Sequence, residues 1–174
     1  MLFDNPSIHP QDLPAVEEAL WQPLHRTYLK RQLLGLAIGQ TFLLIAGIVA
    51  VSIMSMWGKL WLVLGGILLW VAQTLLRWIL VRKGFAKKAY ALRERDLLYR
   101  SGLFWQQMLV VPFNRVQHCS IQEGLLDKVY GLASLRVYTA GTSGSDLVIP
   151  GLEPHNAQRI KDFLINRTVQ DEAI

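Results

Sequence analysis

Side chains that commonly perform chemistry are few and scattered in this sequence. Its four histidines lie far apart and lack the spacing of metal ligands. Its single cysteine, Cys119, follows His118 directly, and neighbouring residues of the strand predicted there point to opposite faces, so the two cannot readily act as a pair. The glycine-rich segment 141–144 lacks the lysine of a phosphate-binding loop, and neither a GxSxG elbow nor an HExxH helix occurs. We therefore expect no enzymatic activity, no metal and no cofactor.

Basic residues are the one kind of ligand-binding side chain that clusters. Lys87, Lys88, Arg93 and Arg95 follow the second of two long apolar segments and surround a charged turn. One interpretation is that they hold anionic lipid headgroups, to which each basic residue adds about 1 kcal/mol of attraction. The other is that they reflect membrane topology and a solvated turn. The net charge of +5 is concentrated beside the apolar segments, which argues against nucleic acid as a partner.

Two apolar segments precede these basic residues and must place them relative to a membrane. Residues 33–56 carry no charge and would form roughly 36 Å of helix, enough to cross a hydrocarbon core of about 30 Å. Residues 60–81 carry only Arg77, close enough to the end of the segment for its side chain to reach the headgroups. Neither segment has the polar stripe of a helix that covers a soluble core. The sequence therefore predicts a transmembrane helical hairpin with an external turn at 57–59.

Each predicted span contains one polar pair, Gln40 and Thr41 in the first and Gln73 and Thr74 in the second. Counted from the turn, the two pairs lie at similar depth in an antiparallel hairpin. We expect hydrogen bonds between the helices there, each worth roughly 0.6–2 kcal/mol. A transport site is the other interpretation, but the spans contain no acidic residue from which to build an ion or proton path.

Basic residues flank the hairpin asymmetrically. Several lie before residue 33 and after residue 81, whereas the turn contains only Lys59. Because cytoplasmic loops carry an excess of lysine and arginine, both termini are predicted on the cytoplasmic side. Residues 1–32 form the first cytoplasmic segment. Within it, Asp12 and Pro14 indicate the start of a short helix, and a second helical run leads from about His25 into the first span.

From residue 88 the sequence consists of short runs rich in β-branched and aromatic residues, separated by turn signals, which is typical of antiparallel β structure. The predicted strands are 89–93, 97–101, 103–111, 116–122, 135–139 and 147–149. After Pro154, the spacing of Ala157, Ile160, Phe163 and Leu164 places them on one face of a helix, which we expect to cover an open end of the sheet. These elements predict an α+β cytoplasmic domain over residues 88–166, followed by a tail at 167–174.

Several stretches of this domain, taken in order, carry a family resemblance. They are 96–98 (DLL) with Gly102, 111–117 (VPFNRVQ), 123–137 (EGLLDKVYGLASLRV), 139–141 (TAG) and 149–152 (IPGL). This set resembles the bacterial pleckstrin-homology-like domains of the second type, formerly a domain of unknown function, as found in YdbS-like membrane proteins. The resemblance implies a pleckstrin-homology-like antiparallel β-barrel or sandwich of about seven strands, capped by the C-terminal helix. Gly131 and Gly141 suit turn positions that need a positive φ.

The resemblance also implies a location in the bacterial cytoplasmic membrane and brings no established catalytic activity. The expected function is a membrane-anchored, non-enzymatic interaction or scaffold module that presents the domain to the cytoplasm. YdbS-like proteins often occur beside a larger relative with repeated domains of the same type. The resemblance therefore implies a related membrane protein as partner, with self-association as the other possibility. Two alternatives stay open, an anionic-lipid-sensing domain and an accessory subunit of a transport or export complex.

Overall fold

The structure is a computed structural model that describes residues 19–54, 59–140 and 147–172, with side chains up to residue 168. Two long helices form most of its first half, α1 over Arg26–Ile53 and α2 over Leu60–Ala86. Both are long and apolar enough to cross a membrane. With 28 and 27 residues, each measures roughly 40 Å and exceeds a hydrocarbon core of about 30 Å.

Both helices extend beyond the predicted spans at the end that carries the domain. α1 begins about two turns before residue 33, and the Nδ1 atom of its N-cap residue His25 accepts a hydrogen bond from the Thr27 backbone N–H at 3.3 Å. α2 continues past Val81 to Ala86. The additional turns are rich in basic residues, so they are helical without being apolar. The predicted short helix near Asp12 lies outside the described residues, as does most of the predicted turn at 57–59.

The strands form two antiparallel sheets. The strands are β1 Gln22–Pro23, β2 Ala89–Leu92, β3 Asp96–Ser101, β4 Gln107–Pro112, β5 Val116–Gln122, β6 Ala133–Thr139 and β7 Leu147–Leu152; the further helices are α3 Leu125–Val129 and α4 Pro154–Glu172. The first sheet has the order β1-β2-β3-β4, and the second has the order β5-β6-β7. The short helix α3 lies between β5 and β6, and α4 follows β7.

The two sheets do not close into a barrel, because no pairing joins a described strand of one sheet to a strand of the other. They share one hydrophobic core instead, which includes Leu97 of β3, Val137 of β6 and Ile149 of β7. Of the two architectures implied by the resemblance, the described strands therefore support the two-sheet arrangement. Seven strands are described, six within the predicted domain and one, β1, before α1, against an expectation of about seven for the domain.

The C-terminal helix α4 covers the second sheet. Ala157, Ile160 and Leu164 are buried, and the ring of Phe163 meets Phe113 edge-on, with centroids 5.8 Å apart. This is the apolar face predicted from the sequence. The helix is longer than predicted, since it continues to Glu172 and includes residues 167–172, which were expected to form a tail. Thr168 donates a hydrogen bond to the Phe113 carbonyl oxygen at 3.3 Å, which ties this extension to the domain.

One strand is much shorter than predicted. The run 103–111 was expected to be continuous, but β4 begins only at Gln107. The cause is Gly102, which has φ +107 and lies so close to the Trp105 carbonyl oxygen that a Cβ atom would collide with it. The chain therefore bends over residues 103–106 before β4 begins. Gly131 has the predicted positive φ, at +61, whereas Gly141 lies outside the described residues.

Candidate functional site

The polar pairs of the hairpin make one contact between the helices. Thr74 Oγ1 lies 3.3 Å from Gln40 Oε1 and 2.8 Å from the Trp70 carbonyl oxygen of its own helix, so its single hydroxyl proton is shared between the two acceptors. Gln40 is buried in a helix whose other span residues are largely exposed. The Thr41 hydroxyl donates only to a carbonyl of its own helix, at 2.9 Å, and the Gln73 side chain makes no hydrogen bond to another described residue. Gln40 and Thr74 thus account for the contact between the helices.

The four basic residues predicted to contact lipid do not lie together. Lys87 and Lys88 follow α2 directly, whereas Arg93 and Arg95 lie beyond the far end of β2, roughly 13 Å along the strand. Arg93 Nε is 3.9 Å from Asp96 Oδ1, and Arg95 lines a cleft with Glu94 and Arg167. Strand β2 separates the two pairs, so a single headgroup cannot contact all four side chains.

Lys87 and Lys88 also differ from each other. The Lys87 side chain is exposed, whereas Lys88 Nζ lies 5.5 Å from the ring centroid of Tyr28. Desolvation by burial lowers the pKa of Lys88. Lys88 therefore packs against the domain end of α1, and Lys87 is the member of this pair that is available to a ligand.

The start of α1 packs into the domain at a joint that no sequence pattern predicts. Leu24 and Tyr28 belong to the domain core. The Tyr28 ring lies against Gly151, which has φ +67 and no room for a Cβ atom. One turn further on, Arg31 Nε donates to Asp127 Oδ1 at 2.8 Å. These contacts join residues far apart in sequence, so no local pattern could have revealed them.

Asp127 is the central residue of that joint. It is buried, and its Oδ2 atom accepts hydrogen bonds from Arg31 Nη2 at 3.4 Å and from the Gly124 backbone N–H at 3.2 Å. It therefore both caps α3 and holds α1. An ion pair that is largely buried and hydrogen-bonded at both carboxylate oxygens fixes the geometry between two elements. The domain is consequently held to the first helix by side-chain contacts as well as by the chain itself.

The β3–β4 hairpin carries an exposed apolar surface. Phe104 and Trp105 are 77% and 84% exposed, and Met108, Leu109 and Val110 of β4 are exposed as well. β4 pairs with β3 on one side, and its other side pairs with no described strand. A cleft of about 700 Å³ lies beside this hairpin, and its lining includes Tyr99 of β3, Met108 and Leu109 of β4 and the start of β7. We call residues 104–110 the β4 surface.

The side chains with catalytic potential are not arranged for catalysis. Burial raises the pKa of the Cys119 thiol to about 11, so little thiolate exists at neutral pH. His118 is on the opposite, exposed face of β5 and stacks on Tyr138 with ring centroids 4.1 Å apart. Among the described residues, no three His, Cys, Asp or Glu side chains lie close enough to hold a metal ion.

Two helices able to cross a bilayer, joined to a two-sheet domain capped by a helix, define a membrane-associated protein with a pleckstrin-homology-like domain. The family model for the bacterial PH domain matches residues 33–168, and the chain belongs to this family. The match includes both long helices as well as the domain. The family expected from the sequence motifs is thereby confirmed.

Two relatives from Bacillus subtilis (strain 168) resemble this chain. It is 37% identical over 75 residues to the UPF0699 transmembrane protein YdbS, a stretch that covers 43% of this chain and 45% of YdbS. It is 23% identical over 109 residues to the UPF0699 transmembrane protein YdbT, which covers 62% of this chain and 21% of YdbT. The matched stretches thus cover less than half of either relative. No solved structure matches the chain.

Proposed function

We propose that this chain is a membrane-anchored, non-enzymatic interaction module. In this proposal, both long helices cross the bacterial cytoplasmic membrane and both termini are cytoplasmic. The domain binds an extended segment of a related membrane protein or of a second copy of the chain. The observation that carries the proposal is the β4 surface, a sheet edge with exposed apolar side chains on both of its faces.

The charges at the ends of the two helices support this orientation. Arg26, Lys30 and Arg31 lie in the first turns of α1, and Arg82 and Lys83 lie in the last turns of α2, all at the end that carries the domain. Lys59 is the only basic residue in the predicted turn. The guanidinium of Arg82 stacks over the Trp78 ring at 3.8 Å, a pairing suited to the headgroup layer. The positive-inside rule then favours a cytoplasmic domain.

An open apolar strand suits an extended partner. The free backbone N–H and C=O groups of an edge strand can pair with a strand from another chain, and side-chain pockets on the two faces add specificity. Met108 and Val110 alternate with Leu109, so apolar side chains line both faces of the edge. Natural sheet edges usually carry charges or proline against such pairing. In β4 only Pro112, at its end, is of that kind.

The relatives favour a partner with a similar domain. YdbT resembles this chain over 109 residues that are only 21% of its own length, so a much longer transmembrane protein carries a related region. Similar domains can offer similar strands to the β4 surface. Anionic-lipid sensing has less support as an alternative, because Lys87 and Lys88 lie apart from Arg93 and Arg95. An accessory role in transport or export would be supported if the partner were identified as a transport or export protein.

The test is purification of the tagged full chain from native membranes in mild detergent, followed by determination of the mass of the complex. We expect a complex larger than the 19.8 kDa chain, with either a second membrane protein of the same family or a second copy. The double variant Met108→Glu/Val110→Glu should weaken it at least about tenfold, a loss of about 1.4 kcal/mol. The control is Ile165→Glu, which places one glutamate on a partly exposed apolar residue of α4; the single variant Met108→Glu carries the same added charge and is compared with it directly.

Two results would contradict the proposal. One is a wild-type chain that is monomeric both in membranes after cross-linking and in detergent. The other is a complex that withstands the double variant as well as it withstands the control. Either result would mean that the β4 surface does not mediate association.

A further inference from the structure

The short helix α3 buries a charged side chain and exposes apolar ones. A helix on a water-soluble domain turns its apolar residues inward and its charged residues outward. In α3 the charged Asp127 is buried against Arg31, while Leu125 and Val129 are 88% and 75% exposed. Lys128 is also exposed. An apolar and basic outer face on a helix with an acidic inner face is not explained by packing within the domain.

The position of α3 along α1 suggests what covers this face. Arg31 contacts Asp127, and the Leu126 Cδ1 atom lies 3.8 Å from where a Cβ atom on Gly35 would be. The first apolar segment covers residues 33–56, and a core of about 30 Å takes about 20 residues of helix. The boundary of the core on the domain side therefore falls between residues 33 and 37, around Gly35. α3 therefore lies beside α1 at the level where hydrocarbon meets headgroups.

Beyond Gly35, the face of α1 that carries Arg31 and Gly35 remains apolar. Ile38 and Phe42 are exposed on α1 one and two turns deeper, where only lipid or another membrane helix can cover them. Leu125 and Val129 extend this apolar surface sideways at the membrane boundary. Lys128 adds a positive charge of the kind that interfacial segments place near anionic headgroups.

We infer that α3 is a membrane-contact element, with Leu125 and Val129 inserted into the headgroup and upper acyl layer of the bilayer and Lys128 at the headgroups. Because Asp127 ties α3 to Arg31 of the first helix, this contact and the helix together fix how the domain stands on the membrane. The β4 surface is then presented in one orientation. The inference rests on the proposed spanning of α1 and is independent of any protein partner.

Site-specific fluorescence in vesicles tests the inference. The full chain is purified and reconstituted at low protein density into vesicles of phosphatidylcholine and phosphatidylglycerol, with an environment-sensitive dye attached to an introduced cysteine. The positions are Leu125→Cys and Val129→Cys, and the wild-type chain serves as the blank, since its Cys119 is buried. Emission is measured with nitroxide-labelled lipids as one quencher and aqueous iodide as the other.

Two control positions make the result interpretable. Asn166→Cys is exposed on α4, next to the Thr168–Phe113 contact, at the end of β5 opposite to α3 and roughly 20 Å away along the strand. Ile45→Cys is an exposed position in the middle of α1 and reports whether the helix spans the bilayer. All four replaced side chains are substantially exposed or face away from the domain core, so folding should be preserved.

The inference predicts that lipid nitroxides quench the dye at 125 and 129 several-fold more than at 166, and that iodide shows the opposite order. Equal behaviour at 125 and 166 would overturn it. Protection at 125 from both quenchers would also overturn it, because the covering surface would then be protein. If lipid nitroxides quench the dye at position 45 but not at position 125, only this inference fails. If they do not quench the dye at position 45, the proposed spanning hairpin fails as well.

Discussion

α1 begins inside the domain, whereas α2 joins the domain through residues 87–88. Leu24 and Tyr28, at the start of α1, belong to the domain core, and Arg31 is paired with Asp127. Within the described residues, α2 buries no side chain completely, although Phe85 packs partly against the core. The two helices of one hairpin thus differ in kind, since α1 is part of the domain and α2 is connected to it.

This difference changes where the domain begins. The sequence suggested a domain over 88–166 with a separate segment before the membrane, but the core needs residues 24–31 as well. Strand β1 also belongs to the first sheet, where Gln22 pairs with Tyr90 and Pro23 with Ala89. A fragment starting near residue 85 would expose the surface that Leu24 and Tyr28 cover. α1 is therefore coupled to the domain more tightly than α2 is.

The largest expected effect is at the contact between Tyr28 and Gly151. Gly151→Ala requires an alanine at φ +67 and a Cβ atom that collides with the Tyr28 ring. We expect a loss of about 3 kcal/mol in unfolding free energy from overpacking and backbone strain together. The measurement is thermal or denaturant unfolding of the detergent-solubilised chain, followed by circular dichroism.

Gly131→Ala is the matched control for Gly151→Ala. Gly131 has a similar φ, +61, but a Cβ atom there would meet no other atom within 4 Å. Only the strain of an alanine at positive φ remains, so we expect a loss of about 1 kcal/mol in unfolding free energy. If both variants lose the same stability, Tyr28 does not press on Gly151, and α1 is less integrated into the domain than the comparison of the helices claims.

A smaller loss is expected from removing the charge that holds α1. Asp127→Ala leaves Arg31 without its partner and removes the cap of α3. Because the Arg31 side chain is about one-third exposed, water can compensate in part, and we expect about 2 kcal/mol. The control is Asp162→Ala, which removes a charge from an exposed position on α4. It should lower the unfolding free energy by less than about 0.5 kcal/mol. Hydrogen exchange of α3 would show the same order, and equal effects of the two variants would argue against a joint at Asp127.

The smallest expected effect lies inside the hairpin. Thr74→Val removes the hydroxyl that donates to Gln40, and such interhelical bonds are worth about 0.6 kcal/mol on average. Gln40→Leu removes the acceptor, and combining the two gives their coupling energy in a double-mutant cycle. Thr41→Val is the control, because both threonine hydroxyls bond to a carbonyl of their own helix but only that of Thr74 also reaches Gln40. A coupling energy near zero would mean that the two helices are held together mainly by packing.

Local patterns were sufficient for much of the domain. The alternation in 116–122 defined β5 to the residue, and the spacing of Ala157, Ile160 and Leu164 identified the buried face of α4. Both signals arise within a few residues of one another. The ordered motifs identified the family. The length of the two apolar segments and their near lack of charge predicted the helical hairpin.

The features that the sequence alone did not predict depend on contacts between residues far apart in the chain. Arg31 and Asp127 are separated by 96 residues, and each resembles an ordinary surface charge when only its neighbours are considered. Leu125 and Val129 lie within the family motif at 123–137. Their exposure follows from the inward orientation of Asp127, which the motif does not specify. The open edge of β4 likewise follows from the order of strands in the sheet, which no local run of residues specifies.

The central claim is that the hairpin crosses the membrane and leaves the domain on the cytoplasmic side. Cysteine labelling in intact cells with a membrane-impermeant maleimide tests it most directly, using Lys59→Cys at the turn and Asn166→Cys on α4. Cys119 adds little background, because it is buried and its pKa is raised to about 11. We predict that 59 is labelled in intact cells and 166 only after lysis. Labelling of 166 in intact cells, or protection of 59 until lysis, would contradict the account.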